Sequence, residues 1–172
     1  MSTPLQASPI PIESIPDGST YRLGLVVAEW NQEITAVLEY GALEILLKSG
    51  VKKENLFHLQ VPGSYELVSG AQLILENRPV DAVICLGCVI QGETPHFDFI
   101  CQAVSNGLIS LTLKYNKPVI FGVLTTLNLD QAKERSGGKY GNKGEEGALT
   151  ALKMIKAGHT LLKNKNTPVG YL

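Results

Sequence analysis

Ala82-Val83-Ile84-Cys85-Leu86-Gly87-Cys88-Val89-Ile90-Gln91-Gly92-Glu93-Thr94-Pro95-His96-Phe97-Asp98 is the stretch on which the fold turns. Its first nine residues, Ala82 to Ile90, are apolar or small and rich in β-branched side chains, the pattern of a buried strand. A helix follows, Phe97 to Tyr115, with Ile100, Ala103, Val104, Gly107, Leu108 and Leu111 spaced along one face. Gly92, Thr94 and Pro95 therefore mark a strand-to-helix turn. Thr94 is expected to cap the helix and Pro95 to take its first position. Such a turn leaves backbone N–H groups free at a positive helix end, where an anion binds. His96 then lies one residue inside the anion site, and a proton donor beside a phosphate is a usable catalytic arrangement.

The same alternation extends in both directions. Tyr21 to Glu29 reads as the first strand, and Asn31 is placed to cap the helix after it. That helix carries Ile34, Val37, Leu38, Gly41, Ala42 and Ile45 on one face and ends at Gly50. Leu56 to Val61 is the second strand, followed by the Pro62-Gly63 turn, Ser64-Tyr65-Glu66 and a helix to Asn77. Pro118 to Leu124 is the fourth. After it come a short helix, Leu129 to Arg135, a glycine-rich basic linker, Ser136 to Gly144, and a last helix from Glu145 to about Leu162. Four strands alternating with helices predict an α/β fold: a three-layer flavodoxin-like sandwich, with a four-stranded parallel sheet and helices on both faces. In open sheets of this kind ligands bind at the carboxyl ends of the strands. Trp30, the only Trp of the chain, falls at that edge. Its flat face could stack on a heterocycle or pack under the helix start.

With 172 residues, 44% hydrophobic and 18% charged, the chain fits one globular domain with a sizeable core. We expect a proline-rich arm over residues 1–20, the domain over 21–163 and a frayed tail over 164–172. A formal net charge of -1 gives no reason to expect nucleic acid or an anionic membrane as a partner. The N-terminal stretch lacks the pattern of a signal peptide and no run is long enough to span a bilayer, so a cytoplasmic location is expected. Three cysteines suit a reducing compartment. Cys85 and Cys88 stand three apart in a strand, so they point to opposite faces and cannot share a metal.

Five blocks in order carry a family likeness: Trp30-Asn31-Gln32-Glu33-Ile34-Thr35, Val61-Pro62-Gly63-Ser64-Tyr65-Glu66, the central turn, Pro118 to Thr126, and Gln131-Ala132-Lys133-Glu134-Arg135 with Gly141-Asn142-Lys143-Gly144. The chain resembles the lumazine synthases of riboflavin biosynthesis over roughly Arg22 to Ile155. The resemblance implies condensation of 5-amino-6-(D-ribitylamino)uracil with 3,4-dihydroxy-2-butanone 4-phosphate, with no metal or redox cofactor. It makes Trp30 the aromatic that stacks on the pyrimidine. Ser64, Tyr65 and Glu66 would hold the heterocycle and ribityl chain, and the backbone of Cys88, Val89 and Ile90 would read the ring edge. Glu93, through its backbone N–H, and Thr94 would form the phosphate site with Arg135, and Lys143 is a further candidate there. His96 would transfer protons, while Phe121 and Arg135 would complete a neighbouring subunit's site.

A homopentamer is implied, and the compact linker is the kind that goes with icosahedral shells of sixty. Riboflavin synthase is the implied protein partner. Two departures stand out: Gln91 where a basic residue is common, and Val68 in place of a proline usual after the Glu block. Two other readings remain at this point. One is a lumazine- or flavin-binding or shell-forming homologue without catalysis. The other is a flavodoxin-like FMN protein, suggested by fold alone.

Overall fold

The computed structural model describes residues 10–163. Its sheet is built from β1 (Leu23–Ala28), β2 (Leu56–Val61), β3 (Ala82–Ile90) and β4 (Val119–Thr126). All pair in parallel, in the order β2-β1-β3-β4. The connecting helices are α1 (Gln32–Lys48), α2 (Leu67–Asn77), α3 (His96–Tyr115), α4 (Leu129–Glu134) and α5 (Lys143–Lys163).

Because side chains alternate along a strand, the sheet feeds two cores. Leu23, Leu25, Ile84, Leu86 and Leu124 pack against α1, α4 and α5. Val26, Val83, Cys85, Val119 and Val123 pack against α2 and α3. The predicted three-layer sandwich is the observed one. Cys85 falls in one core and Cys88 in the other, as their spacing requires. Burial pushes the Cys88 thiol up to about 11 and Cys85 higher still, so both remain thiols at neutral pH and serve as packing.

The first helix departs from its expected stripe. Val37 is exposed, whereas Leu46 is fully buried. The reason is a second neighbour: α1 packs on the sheet with one side and on α5 with another, so its buried surface is wider than one stripe. The junction with α5 is tight. A Cβ on Gly144 would stand 1.8 Å from the Leu38 carbonyl oxygen, a backbone atom that has no room to move. Asn142 locks the same junction, its Nδ2 donating to the Val37 carbonyl at 2.9 Å and its Oδ1 accepting from the Gly144 N–H at 2.8 Å. Gly144→Ala should therefore destabilise the fold by at least about 3 kcal/mol, the upper range for overpacking. A denaturation midpoint equal to wild type would refute this contact.

The glycine-rich linker is not a plain loop. Ser136–Gly138 (β5) and Gly141–Asn142 (β6) pair as a small antiparallel ribbon. Residues 10–20, the described part of the expected arm, lie against the domain. Ile12–Ser14 form one 3₁₀ turn, Ile15 packs on the core, and the Gly18 N–H donates to the Ser49 carbonyl at 2.7 Å. The expected tail, 164–172, lies outside the described residues, as do residues 1–9. No helix among the described residues is long and apolar enough to cross a membrane.

Candidate active site

The carboxyl ends of all four parallel strands share one edge of the sheet. The β1 and β2 ends stay joined past their last pairs, Glu29 N–H donating to the Val61 carbonyl and Trp30 N–H to that of Pro62. Trp30 is thereby turned out of the core and left 68% exposed. It is not packed beneath the start of α1. Its ring lies on the backbone of Gly63, where an added Cβ would come within 2.7 Å of Cε3. The Glu66 carboxylate accepts from the Gly63 N–H at 3.1 Å and fixes the same turn. Ser64 is buried and sits over β3: a Cβ on Gly87 would meet its Oγ at 2.7 Å. Tyr65 is exposed, and Glu66 is half-buried.

Asn31 occupies the N-cap position of α1 at φ 60°, a left-handed conformation that Asn tolerates. Its side chain does not cap the helix, as the sequence suggested. Its Nδ2 donates instead to the Cys88 carbonyl at 2.9 Å. This bond ties the ends of β1 and β3 together, and it was not foreseen. Trp30, Gly63, Ser64, Glu66 and Cys88 thus form one cluster, with Val89 and Ile90 half-buried at the end of β3.

The turn after β3 also differs in detail. The Pro95 carbonyl accepts from Asp98 and Phe99 N–H, so the helical ladder starts there. Pro95 is the N-cap and His96 the first helical residue. Thr94 lies one residue too far upstream to cap and is exposed, as are Glu93 and His96. The backbone N–H groups of Gly92, Glu93, Thr94, His96 and Phe97 take no acceptor among the described residues. Five donors at a helix start are what an oxyanion needs. Gln91 is held back to the sheet, its N–H donating to the Thr126 carbonyl at 2.8 Å. Thr126 is buried and its hydroxyl has no partner. Val68 packs against α3, where a Cβ on Gly107 would touch it at 2.7 Å.

Phe121, Arg135 and Lys143 gather elsewhere. They line a groove of about 380 Å³ along the edge strand β4, together with Tyr140 and Glu146. No residue of the Trp30 cluster, and neither His96 nor the free donors of the turn, lines that groove. Lys143 is paired with Glu146 at 2.9 Å, whereas Arg135 enters no ion pair among the described residues. The chain therefore carries two candidate partial sites: an aromatic cluster with free backbone donors at the carboxyl edge, and a cationic groove on the sheet's β4 edge.

The fold is that of an open-sheet α/β protein, a class that binds small molecules at the carboxyl ends of its strands. Residues 20–158 match the family described as 6,7-dimethyl-8-ribityllumazine synthase. Curated relatives of that name include one from Cytophaga hutchinsonii, 62% identical over 141 residues, which are 82% of this chain and 89% of that protein. Another is from Parabacteroides distasonis, 52% identical over 83% of this chain and 89% of the relative. A third, from Porphyromonas gingivalis, is 52% identical over 83% and 88%. The chain belongs to the 6,7-dimethyl-8-ribityllumazine synthase family.

Proposed function

We propose that this protein is a transferase of riboflavin biosynthesis. It condenses 5-amino-6-(D-ribitylamino)uracil with 3,4-dihydroxy-2-butanone 4-phosphate to 6,7-dimethyl-8-ribityllumazine. The 5-amino group forms an imine with the ketone and releases water. Phosphate then leaves, and ring closure releases a second water. The observation that carries this reading is the placement of an exposed Trp30 on Gly63 at the carboxyl edge, with the free donors of residues 92–97 at the same edge.

In this reading Trp30 stacks on the pyrimidine, while Ser64, Tyr65 and Glu66 hold the ring and ribityl chain. The backbone at Cys88, Val89 and Ile90 reads the ring edge. The N–H groups at Glu93 and Thr94 take the phosphate, the Glu93 carboxylate having no role there. His96 moves protons between amine, ketone and leaving group. The site is completed across an interface, Phe121 and Arg135 coming from the next subunit, with Lys143 nearby. This is supported by the two partial sites being apart in one chain. It is also supported by apolar side chains left exposed on the helices: Phe99, Ile109 and Leu113 on α3, and Tyr40 and Leu47 on α1. We assign a homopentamer, assembling further into a shell of sixty, in the cytoplasm, with riboflavin synthase as the partner that consumes the product.

The test is formation of the lumazine and release of phosphate from the two purified substrates. Tight binding of lumazine or riboflavin without turnover would favour the silent homologue. Trp30 supplies a second measurement. Lumazine or riboflavin binding should quench its fluorescence, and no other Trp contributes. Unchanged emission at saturation, with binding shown by dialysis, would remove Trp30 from the site.

A further inference from the structure

Arg135 is anchored without a carboxylate partner among the described residues. It follows directly on α4, and the β5–β6 ribbon folds back over that helix end. The Glu134 carbonyl accepts from the Tyr140 N–H at 2.8 Å, and the Lys143 N–H donates to the Arg135 carbonyl at 3.0 Å. The return is close: a Cβ on Gly138 would stand 2.7 Å from the Glu134 Cα. The nearest carboxylate in sequence, that of Glu134, accepts from the Lys139 backbone N–H at 2.9 Å instead of pairing with Arg135. What meets the guanidinium is an aromatic face. Arg135 Cζ lies 5.2 Å from the centroid of the Tyr140 ring, which Lys139 Nζ also approaches, at 5.3 Å. Arg135 and Tyr140 are also the two residues common to the β4 groove and to an adjoining groove lined by Asn128, Gln131 and Glu134.

We infer that Tyr140 is a positioning residue: its ring holds the Arg135 guanidinium ready for the substrate phosphate. The inference rests on the reading of Arg135 as a phosphate ligand. The physical advantage over a carboxylate partner is specific. A carboxylate would fix the guanidinium but would neutralise it and occupy its N–H fork. A ring face attracts the cation through its quadrupole and leaves the in-plane donors free for a bidentate phosphate. The Tyr140 hydroxyl makes no hydrogen bond among the described residues, so the ring alone is required.

The test compares Tyr140→Leu, Tyr140→Phe and Arg135→Ala in the assembled enzyme, reading KM separately for each substrate. Tyr140→Leu should raise KM for the butanone phosphate about threefold to tenfold and weaken inhibition by inorganic phosphate by the same factor. The pyrimidine KM and the particle mass should not move. Tyr140→Phe should restore both. A Tyr140→Leu enzyme with wild-type KM for the phosphate substrate, beside an Arg135→Ala enzyme in which it rises, would overturn the role of Tyr140 alone. An Arg135→Ala enzyme with unchanged KM would overturn the reading of Arg135, and the inference with it. Parallel rises in both KM values, or failure of Tyr140→Phe, would also overturn it, pointing to structure or to the hydroxyl. Should Tyr140→Leu not fold, Tyr140→Trp carries the test. Its stronger cation–π attraction should keep the affinity at or above wild type, and a weaker affinity overturns the inference.

Discussion

His96→Ala is expected to fold and assemble like the wild type but to turn over about a hundredfold more slowly, the scale of general acid–base catalysis. Folding should survive because the side chain is exposed at the first position of α3 and supports no packing. The helix start does not depend on it, since the ladder begins at the Pro95 carbonyl. The chemical steps, by contrast, each move a proton: imine formation, phosphate departure and ring closure. His96 is the one imidazole at the carboxyl edge near the free donors of residues 92–97; His58, on β2, meets Glu39 of α1, and His159 packs against Tyr21. Alignment of two bound substrates supplies a large part of the acceleration without any side-chain proton transfer, which sets a floor under the mutant. The measurement is single-turnover rate with both substrates saturating. A rate within threefold of wild type would take His96 out of the mechanism.

How much could be read from the chain alone follows from which signals are local. The bounds of β3 were legible because a buried parallel strand is a short apolar run bounded by turn residues, and those of the edge strand β2 because exposed His58 and Gln60 alternate with Phe57, Leu59 and Val61. The two faces of β3 followed from alternation, which put Cys85 and Cys88 in different cores. Leu46 lies off the predicted stripe and is nonetheless fully buried, for a general reason. Sequence periodicity registers apolar faces but not what covers them, so burial by α5 and burial by another subunit look alike. Leu46 is fully buried within the chain, whereas Leu47 beside it is 44% exposed. The β5–β6 ribbon was missed because three- and two-residue strands made of Ser, Gly and Asn carry no alternation.

At the site, the residue types were legible and their bonds were not. Asn31 announces a turn or a cap equally well, and only the fold shows its amide reaching the Cys88 carbonyl. The same holds for Asn142, whose amide reaches the Val37 carbonyl in a segment far away in sequence while its oxygen accepts locally from the Gly144 N–H. Tyr140 gives no signal of its own in a basic linker. Its ring becomes meaningful only once the ribbon turns back on α4 and sets it against Arg135.

The separation of the two partial sites leads to the other large effect. His96→Ala and Arg135→Ala should each be nearly inactive when pure, yet regain activity when dissociated together and reassembled. If Arg135 works in trans, each active site takes His96 from one subunit and Arg135 from the next. The His96→Ala subunit still supplies Arg135, and the Arg135→Ala subunit still supplies His96. With random one-to-one mixing, about a quarter of the interfaces should be intact, and activity should return to about a quarter of wild type. If both residues served the same chain's site, no mixture could recover any. The single-chain geometry favours the first outcome, since Arg135 and Phe121 line a groove on the β4 edge that includes neither Trp30 nor His96. Native mass measurement must show that the rings are mixed. Mixed rings without recovered activity would place Arg135 in cis, and a monomer in solution would remove the shared site altogether.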